Sequence, residues 1–264
     1  ADGVRVGVLI SSPAGNDLPF DSSQCEQGRN FTNKIWNAYR LVSSWEVRDI
    51  AQPLSSQVAI QWFENRFAQV LSEINSNFDK FRISDALMST YKLVWDDFCS
   101  WYLEMIKPAY QAPIDPATQE NTIEFFEDIL RILHPFMPFL TEELWHQIKE
   151  RDTSEALIVS AWPKAKSFDK QIITEAAQVF EVVSQVRNIR ASKGISPKEA
   201  FSLTIKTKQE DLYDRFDAVL KKLANLDVVA FGDLRRAGDG AFKRLLRGFG
   251  MGVEADGDIG READ

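Results

Sequence analysis

Apolar positions recur with the helical period along most of this chain. Phe31, Ile35, Ala38 and Val42 follow an i, i+4, i+7, i+11 spacing, which lines one face of a helix turning about 100° per residue. The opposite face carries Arg29, Asn33, Trp36, Asn37 and Arg40. A second stripe, Ile60, Phe63, Phe67, Leu71, Ile74 and Phe78, puts Trp62, Arg66 and Gln69 outward by the same arithmetic. A third runs through Leu87, Tyr91, Val94, Phe98, Trp101 or Tyr102, and Met105 to a stop at Pro108. Ser84 is its expected cap, with Asp85 favourable in the first turn. A fourth, Ile123, Phe126, Leu130, Leu133 and Met137, is broken or kinked at Pro135 and Pro138. Thr141 is then expected to cap the helix of Leu144, Trp145 and Ile148, with Glu142 and Glu143 against the positive end of its dipole. Short connections between such helices predict an antiparallel, up-and-down helical bundle over residues 28–150.

The pattern changes on either side of the bundle. Val4, Val8 and Leu9 open the chain in helical spacing, and Pro13, Gly15, Asn16, Asp17 and Pro19 predict a loop. With a pattern already under way at Ala1 and no initiator Met, residues 1–27 read as the end of a linker in something longer. Beyond the bundle, Leu157 to Pro163 reads as an extended connector. A helix from about Ile172 to Ser192 buries Ile172, Ala176, Val179, Val183 and Val186, and Gly194 and Pro197 shape the next turn. Alternation from Phe201 to Lys206 predicts a strand, Leu212 to Leu223 a helix, and Val228 to Phe231 another strand. Residues 151–231 are therefore expected to form a small α/β subdomain behind a mainly α bundle. Residues 232–264 hold eight of the 13 glycines, with Arg-rich and Asp-rich stretches and little periodicity. That composition predicts a loosely ordered tail, and its abrupt onset suggests a foreign or frame-shifted terminus.

Composition narrows the function. At 264 residues and 44% apolar content the chain can bury a substantial core. A formal charge of -8 argues against generic attraction to phosphates, so any RNA binding must use a local patch. Two predicted helices show a Trp beside an Arg away from the core, the pairing that stacks unpaired bases and meets phosphates. Trp at the edge of a helix with two buried sides explains the same pattern as packing, and both readings stand. Arg187, Arg190, Lys193 and Lys198 face only Glu181 across residues 178–198. This basic helix end suits a phosphate backbone, or a solvated last turn complementing the helix dipole. Cys25 and Cys99 read as reduced cytosolic thiols, and no run approaches the ~20 apolar residues of a membrane span. His134 reads as a core or capping residue. Neither a Cys/His cluster nor a glycine-rich phosphate loop occurs, and adjacent Glu142 and Glu143 do not share a helix face. No catalytic residue and no metal site is expected.

Two segments carry a resemblance: Trp101-Tyr102-Leu103-Glu104-Met105-Ile106-Lys107-Pro108 and Leu133-His134-Pro135-Phe136-Met137-Pro138-Phe139-Leu140-Thr141-Glu142-Glu143-Leu144-Trp145. Together they resemble the anticodon-binding helical domain of class I aminoacyl-tRNA synthetases for branched aliphatic amino acids. Ala1-Asp2-Gly3-Val4-Arg5, Ser12 to Asp21, Gly28 to Ala38, and Val186-Arg187-Asn188-Ile189-Arg190 extend the similarity to about residue 231 and favour the valyl branch. The resemblance implies a cytoplasmic, monomeric ligase that activates valine with ATP and charges its tRNA, and in which this piece reads the anticodon arm. Nucleotide-binding, catalytic and editing parts would lie upstream in the same polypeptide, so this piece alone is expected to hold no cofactor and to bind rather than catalyse. It implies roles for Asn33, Trp36, Asn37, Arg40, Trp62 and Arg66 with bases and phosphates, and for Arg187 and Arg190 with the RNA backbone. Residues 232–264 depart from the family pattern. Two alternatives remain: another aliphatic-amino-acid synthetase, and a free-standing helical module whose Trp-bearing grooves take a partner helix.

Overall fold

A computed structural model describes residues 1–11, 22–206, 210–231 and 252–256, which form two compact units, Ala1–Lys170 and Gln171–Asp264. The loop expected at Pro13 to Pro19 lies outside the described residues.

The first unit is a helical bundle. α1 (Asp2–Ile10) packs on α2 (Ser22–Ser43), so the opening residues belong to the bundle rather than to a linker. The packing is backbone-close: a Cβ at Gly28 would stand 2.0 Å from the Gly3 carbonyl oxygen. α3 (Leu54–Asp79) turns sharply into α4 (Ile83–Lys92). Ser84 does not cap α4; its hydroxyl donates to the Leu9 carbonyl at 2.8 Å and ties α1 to it.

The third predicted stripe is not uniformly α-helical. α4 continues into π-helical turns at Leu93–Tyr102 and ends as α5 (Leu103–Ile106). Buried residues there come as Leu93 and Val94, Phe98 and Cys99, Tyr102 and Leu103, recurring every four to five positions as the wider turn requires. This resolves the choice between Trp101 and Tyr102: Tyr102 is buried, its hydroxyl paired with Thr122 at 2.9 Å, its ring 4.9 Å from Phe63. Burial pushes the Cys99 thiol up to about 12.

α6 (Pro116–Leu133) starts where Asp115 accepts the Thr118 amide at 2.8 Å and Pro116 fills the first helical position. α7 (Pro138–Ile148) has its cap elsewhere than expected. Thr141 lies inside the helix, bonded back to the Met137 carbonyl, and the Asp2 carboxylate from α1 accepts the Phe139 and Leu140 amides at 3.4 and 2.6 Å. His134, at the end of α6, pairs through Nδ1 with Thr141 Oγ1 at 2.8 Å, and burial lowers its pKa.

The connector after α7 belongs to this unit too, which moves the boundary from residue 150 to 170. Arg151 stacks over Trp145 at 3.7 Å and pairs with Glu127. Trp162 donates to Asn75 at 2.9 Å, Lys166 pairs with Glu64 at 3.2 Å, and the Asp169 amide donates to Asn65 at 2.7 Å. Residues 162–169 thus run as a strap along α3.

The second unit holds α8 (Lys170–Lys193), β1 (Phe201–Lys206), α9 (Glu210–Arg215), α10 (Asp217–Ala224), β2 (Leu226–Phe231) and β3 (Gly252–Asp256). The strands order β2-β1-β3, with β1 parallel to β2 and antiparallel to β3. Leu203, Ile205, Tyr213, Phe216 and Leu220 are buried with Val179, Val183 and Val186 of α8. The rest of the predicted tail, 232–251 and 257–264, lies outside the described residues. Among the described residues no helix is long and apolar enough to cross a membrane.

Candidate functional site

α2 carries its predicted outer face as expected. Phe31, Ile35, Ala38 and Val42 are buried, while Arg29, Asn33, Asn37 and Arg40 are exposed and Trp36 is half-buried. Trp36 has a rigid neighbour. Its ring lies 6.1 Å from Tyr39, whose hydroxyl donates to the Gln147 carbonyl at 3.2 Å and whose ring meets Phe126 edge-on at 6.4 Å. Among the described residues, the side chains of Asn33, Asn37 and Arg40 make no hydrogen bond or ion pair. One helix face therefore offers an aromatic plane braced by Tyr39, with two amides and a guanidinium uncommitted to the fold.

The matching face expected on α3 does not exist. Trp62 is 2% exposed, 5.9 Å from Phe63, and belongs to the core. Ser55, Ser56 and Ala59 are buried with it, so a second row of small residues lets this side of α3 pack closely. Arg66, one turn on, is held by Asp97 of the π-helical turns at 2.9 Å and by Gln69 at 2.7 Å. Burial raises the Asp97 pKa and the Arg66 guanidinium pulls it back down.

Around the basic end of α8, Arg187, Lys193 and Lys198 are exposed and Arg190 alone turns inward. Arg190 is 5% exposed, and its Nη1 and Nη2 donate to four carbonyls: Ser196 at 3.0 Å, Glu199 at 2.6 Å, Ala224 at 3.0 Å and Asn225 at 2.9 Å. This clasp fastens α8 to the turn before β1 and to the left-handed turn between α10 and β2, where Asn225 has φ 51°. Five donors on a planar guanidinium suit that fan, which an ammonium could not reproduce. Arg187 donates through Nε and Nη2 to the Leu223 carbonyl at 3.3 and 3.1 Å. Arg190 is thus committed to holding its own unit together.

Periodicity missed one cluster. Trp95 and Tyr91 stack with centroids 5.6 Å apart and planes 10° apart, and Lys34 Nζ stands 5.3 Å from the Trp95 centroid. An α-helical count does not track Trp95 because it opens the π-helical turns. Among the described residues no group of acidic, His and Cys side chains could hold a metal ion.

Residues 61–206 match the family described as the anticodon-binding domain of tRNA ligases. The chain belongs to that family. Its relatives include the valine–tRNA ligase of Christiangramia forsetii, 48% identical over 265 residues, covering 100% of this chain and 30% of the relative. The valine–tRNA ligase of Parabacteroides distasonis is 47% identical over 243 residues, covering 92% and 28%, and that of Phocaeicola vulgatus 48% identical over 242 residues, covering 92% and 27%. The chain spans under a third of the length of these relatives. Because the first alignment covers the whole chain, residues 232–264 lie inside it, against the expectation of a foreign terminus. The exposed α2 face precedes the segment matched to the anticodon-binding family and lies within that same alignment.

Proposed function

We propose that this chain holds the anticodon arm of a valine tRNA against the outer face of α2, as part of a valine–tRNA ligase. The ATP-dependent activation of valine then takes place in a catalytic domain of the same polypeptide, outside the span of this chain. A monomeric enzyme working in the cytoplasm completes the reading. The observation that carries it is two amides and a guanidinium without internal partners beside a half-buried indole, in a chain of the anticodon-binding family.

Each group has a distinct task. Trp36, braced by Tyr39, offers a ring for an unpaired base, which stacking holds whatever its identity. Asn33 and Asn37 each carry a donor and an acceptor, the pair needed to read a base edge. Arg40 closes the set with a cation for a phosphate or a second stacking plane. Trp62, Arg66 and Arg190 take no part, because each is buried or bonded within its own unit.

Binding of the chain to a valine anticodon stem-loop at ~50 and ~200 mM salt, beside scrambled and isoleucine loops, tests this. The expected result is a preference for the valine loop that weakens steeply with salt and is lost in Trp36→Ala and Arg40→Gln. Binding indifferent to salt would favour a protein-interaction module, and preference for the isoleucine loop another synthetase.

A further inference from the structure

The uncommitted surface of α2 does not stop at Asn33 and Asn37. Lys34 lies three residues before Asn37, hence beside it on the helix surface, and its ammonium stands over the Trp95 ring. Tyr91 stacks on Trp95, and Phe31, fully buried in the α2 core stripe, lies 4.5 Å from Tyr91 and 6.4 Å from Trp95. This is a three-ring cluster, anchored in the bundle core at Phe31 and half-exposed at Trp95 and Tyr91. Lys92 and Asp96, near Trp95 in sequence, are both exposed and carry opposite charges.

We propose that Trp95, Tyr91 and Lys34 form a second stacking subsite, which takes an unpaired nucleobase of the RNA loop next to the one held on the α2 face. It rests on the reading of that face as the anticodon-arm interface. An exposed cation–π contact is weaker than a base stacked on an indole, so an incoming base displaces Lys34 from the ring. The lysine stem is long and flexible enough to swing aside and keep its charge on the phosphate of the same nucleotide. The cluster supplies what a stacking platform needs: the indole cannot tilt away, because Tyr91 and Phe31 both adjoin it. Nucleic-acid contact is thereby spread over both flanks of α2, Trp36 on the side of α7 and Trp95 on the side of the π-helical turns.

The test uses the full chain and valine anticodon stem-loops carrying 2-aminopurine at successive loop positions, whose fluorescence is quenched by stacking. Trp95→Leu should weaken binding about tenfold and remove the quenching at one loop position, while a position quenched through Trp36 stays quenched. Lys34→Gln should keep the quenching and lower the slope of log affinity against log salt by about one. This second variant alters only a surface stem, so it decides the matter even if Trp95→Leu melts early. Unchanged affinity and quenching in Trp95→Leu, or an unchanged salt slope in Lys34→Gln, overturns the subsite alone. Failure of the unsubstituted chain to bind the stem-loop overturns both readings.

Discussion

α2 and α3 present the same sequence pattern, a Trp and an Arg four residues apart and off the large apolar stripe, yet only α2 keeps the pair outside. Arg40 follows Trp36 as Arg66 follows Trp62. The difference lies in the small residues. On α3, Ser55, Ala59, Trp62 and Arg66 repeat the i, i+4, i+7, i+11 spacing, and the first three are buried. Counting only large apolar residues leaves this row invisible, because Ser and Ala mark close approach rather than hydrophobic bulk. On α2 the positions one and two turns before Trp36 are Asn33, Thr32 and Arg29, polar groups that would cost too much to bury unpaired.

Breaking the comparison is most direct at the two tryptophans. Trp62→Ala should cost about 3–5 kcal/mol, the range for truncating a large core aromatic. Trp36→Ala should cost less than about 1 kcal/mol and show itself in RNA affinity instead. Urea unfolding of both variants reads the gap. Equal losses would mean that Trp36 is packed as Trp62 is, and the site reading of α2 would fall with it.

Next in size stands Arg190. Replacing it by Met strands four carbonyls and should destabilise the second unit by on the order of 3 kcal/mol, since hydrogen bonds to charged groups are the stronger ones. Lysine should rescue little, as a single ammonium cannot span the same fan. Hydrogen exchange of the α8 amides reports the second unit specifically. Protection in Arg190→Lys equal to that of the unsubstituted chain would show that charge, not fork geometry, matters there.

Much of the architecture could be read ahead of the structure, and the failures share a cause. Helix stripes in α2 and α8 and the β1–helix–β2 alternation are local, periodic signals, and they hold, except that Ile172 at the start of α8 is only half-buried. The Asp115-Pro116 start of α6 was equally local, an N-cap before a first-turn proline, and was there to be found. What failed depends on partners distant in sequence: Asp2 capping α7, Ser84 bonded to Leu9, Arg190 gathering carbonyls up to 35 positions away. For the candidate site, periodicity found Asn33, Trp36, Asn37 and Arg40. It missed Lys34 and Trp95, because their meeting depends on the π-helical turns and on which helix lies beside α2.

Arg66 sharpens the comparison through pH. Arg66→Met leaves the Asp97 carboxylate, 15% exposed, without its cation and should cost about 1–3 kcal/mol near neutrality. Burial already raises the Asp97 pKa above its ordinary 3.8, and losing Arg66 raises it further. An acid with a raised folded pKa loses stability as pH climbs from its unfolded pKa through its folded one. The cost of the substitution should therefore shrink as pH falls through the raised folded pKa of Asp97 and the carboxyl takes up its proton. Arg40→Met should show no such dependence. A pH-independent penalty in Arg66→Met would mean that the stem of Arg66, not its charge, is what α3 needs.

The smallest expected effect concerns how α3 ends. The Phe81 amide donates to the Phe78 carbonyl at 2.9 Å and the Arg82 amide to the Asn77 carbonyl at 2.8 Å, the paired bonds of a Schellman cap. That cap needs a left-handed residue at the first position past the helix, and Phe81 fills it with φ 58° where glycine would be unstrained. The ring is 83% exposed, so removing it forfeits little burial. Phe81→Gly relieves the left-handed strain of about 1–2 kcal/mol but adds freedom to the unfolded chain that costs roughly 0.5–1 kcal/mol, leaving a net gain of about 0.5–1 kcal/mol. Phe81→Ala keeps the strain and loses the ring, and should be neutral or slightly destabilising. The sign of the difference between the two variants, read from thermal melts at one pH, isolates the backbone term. If glycine proves no better than alanine, the left-handed backbone at position 81 stores too little strain to offset the freedom that glycine adds to the unfolded chain.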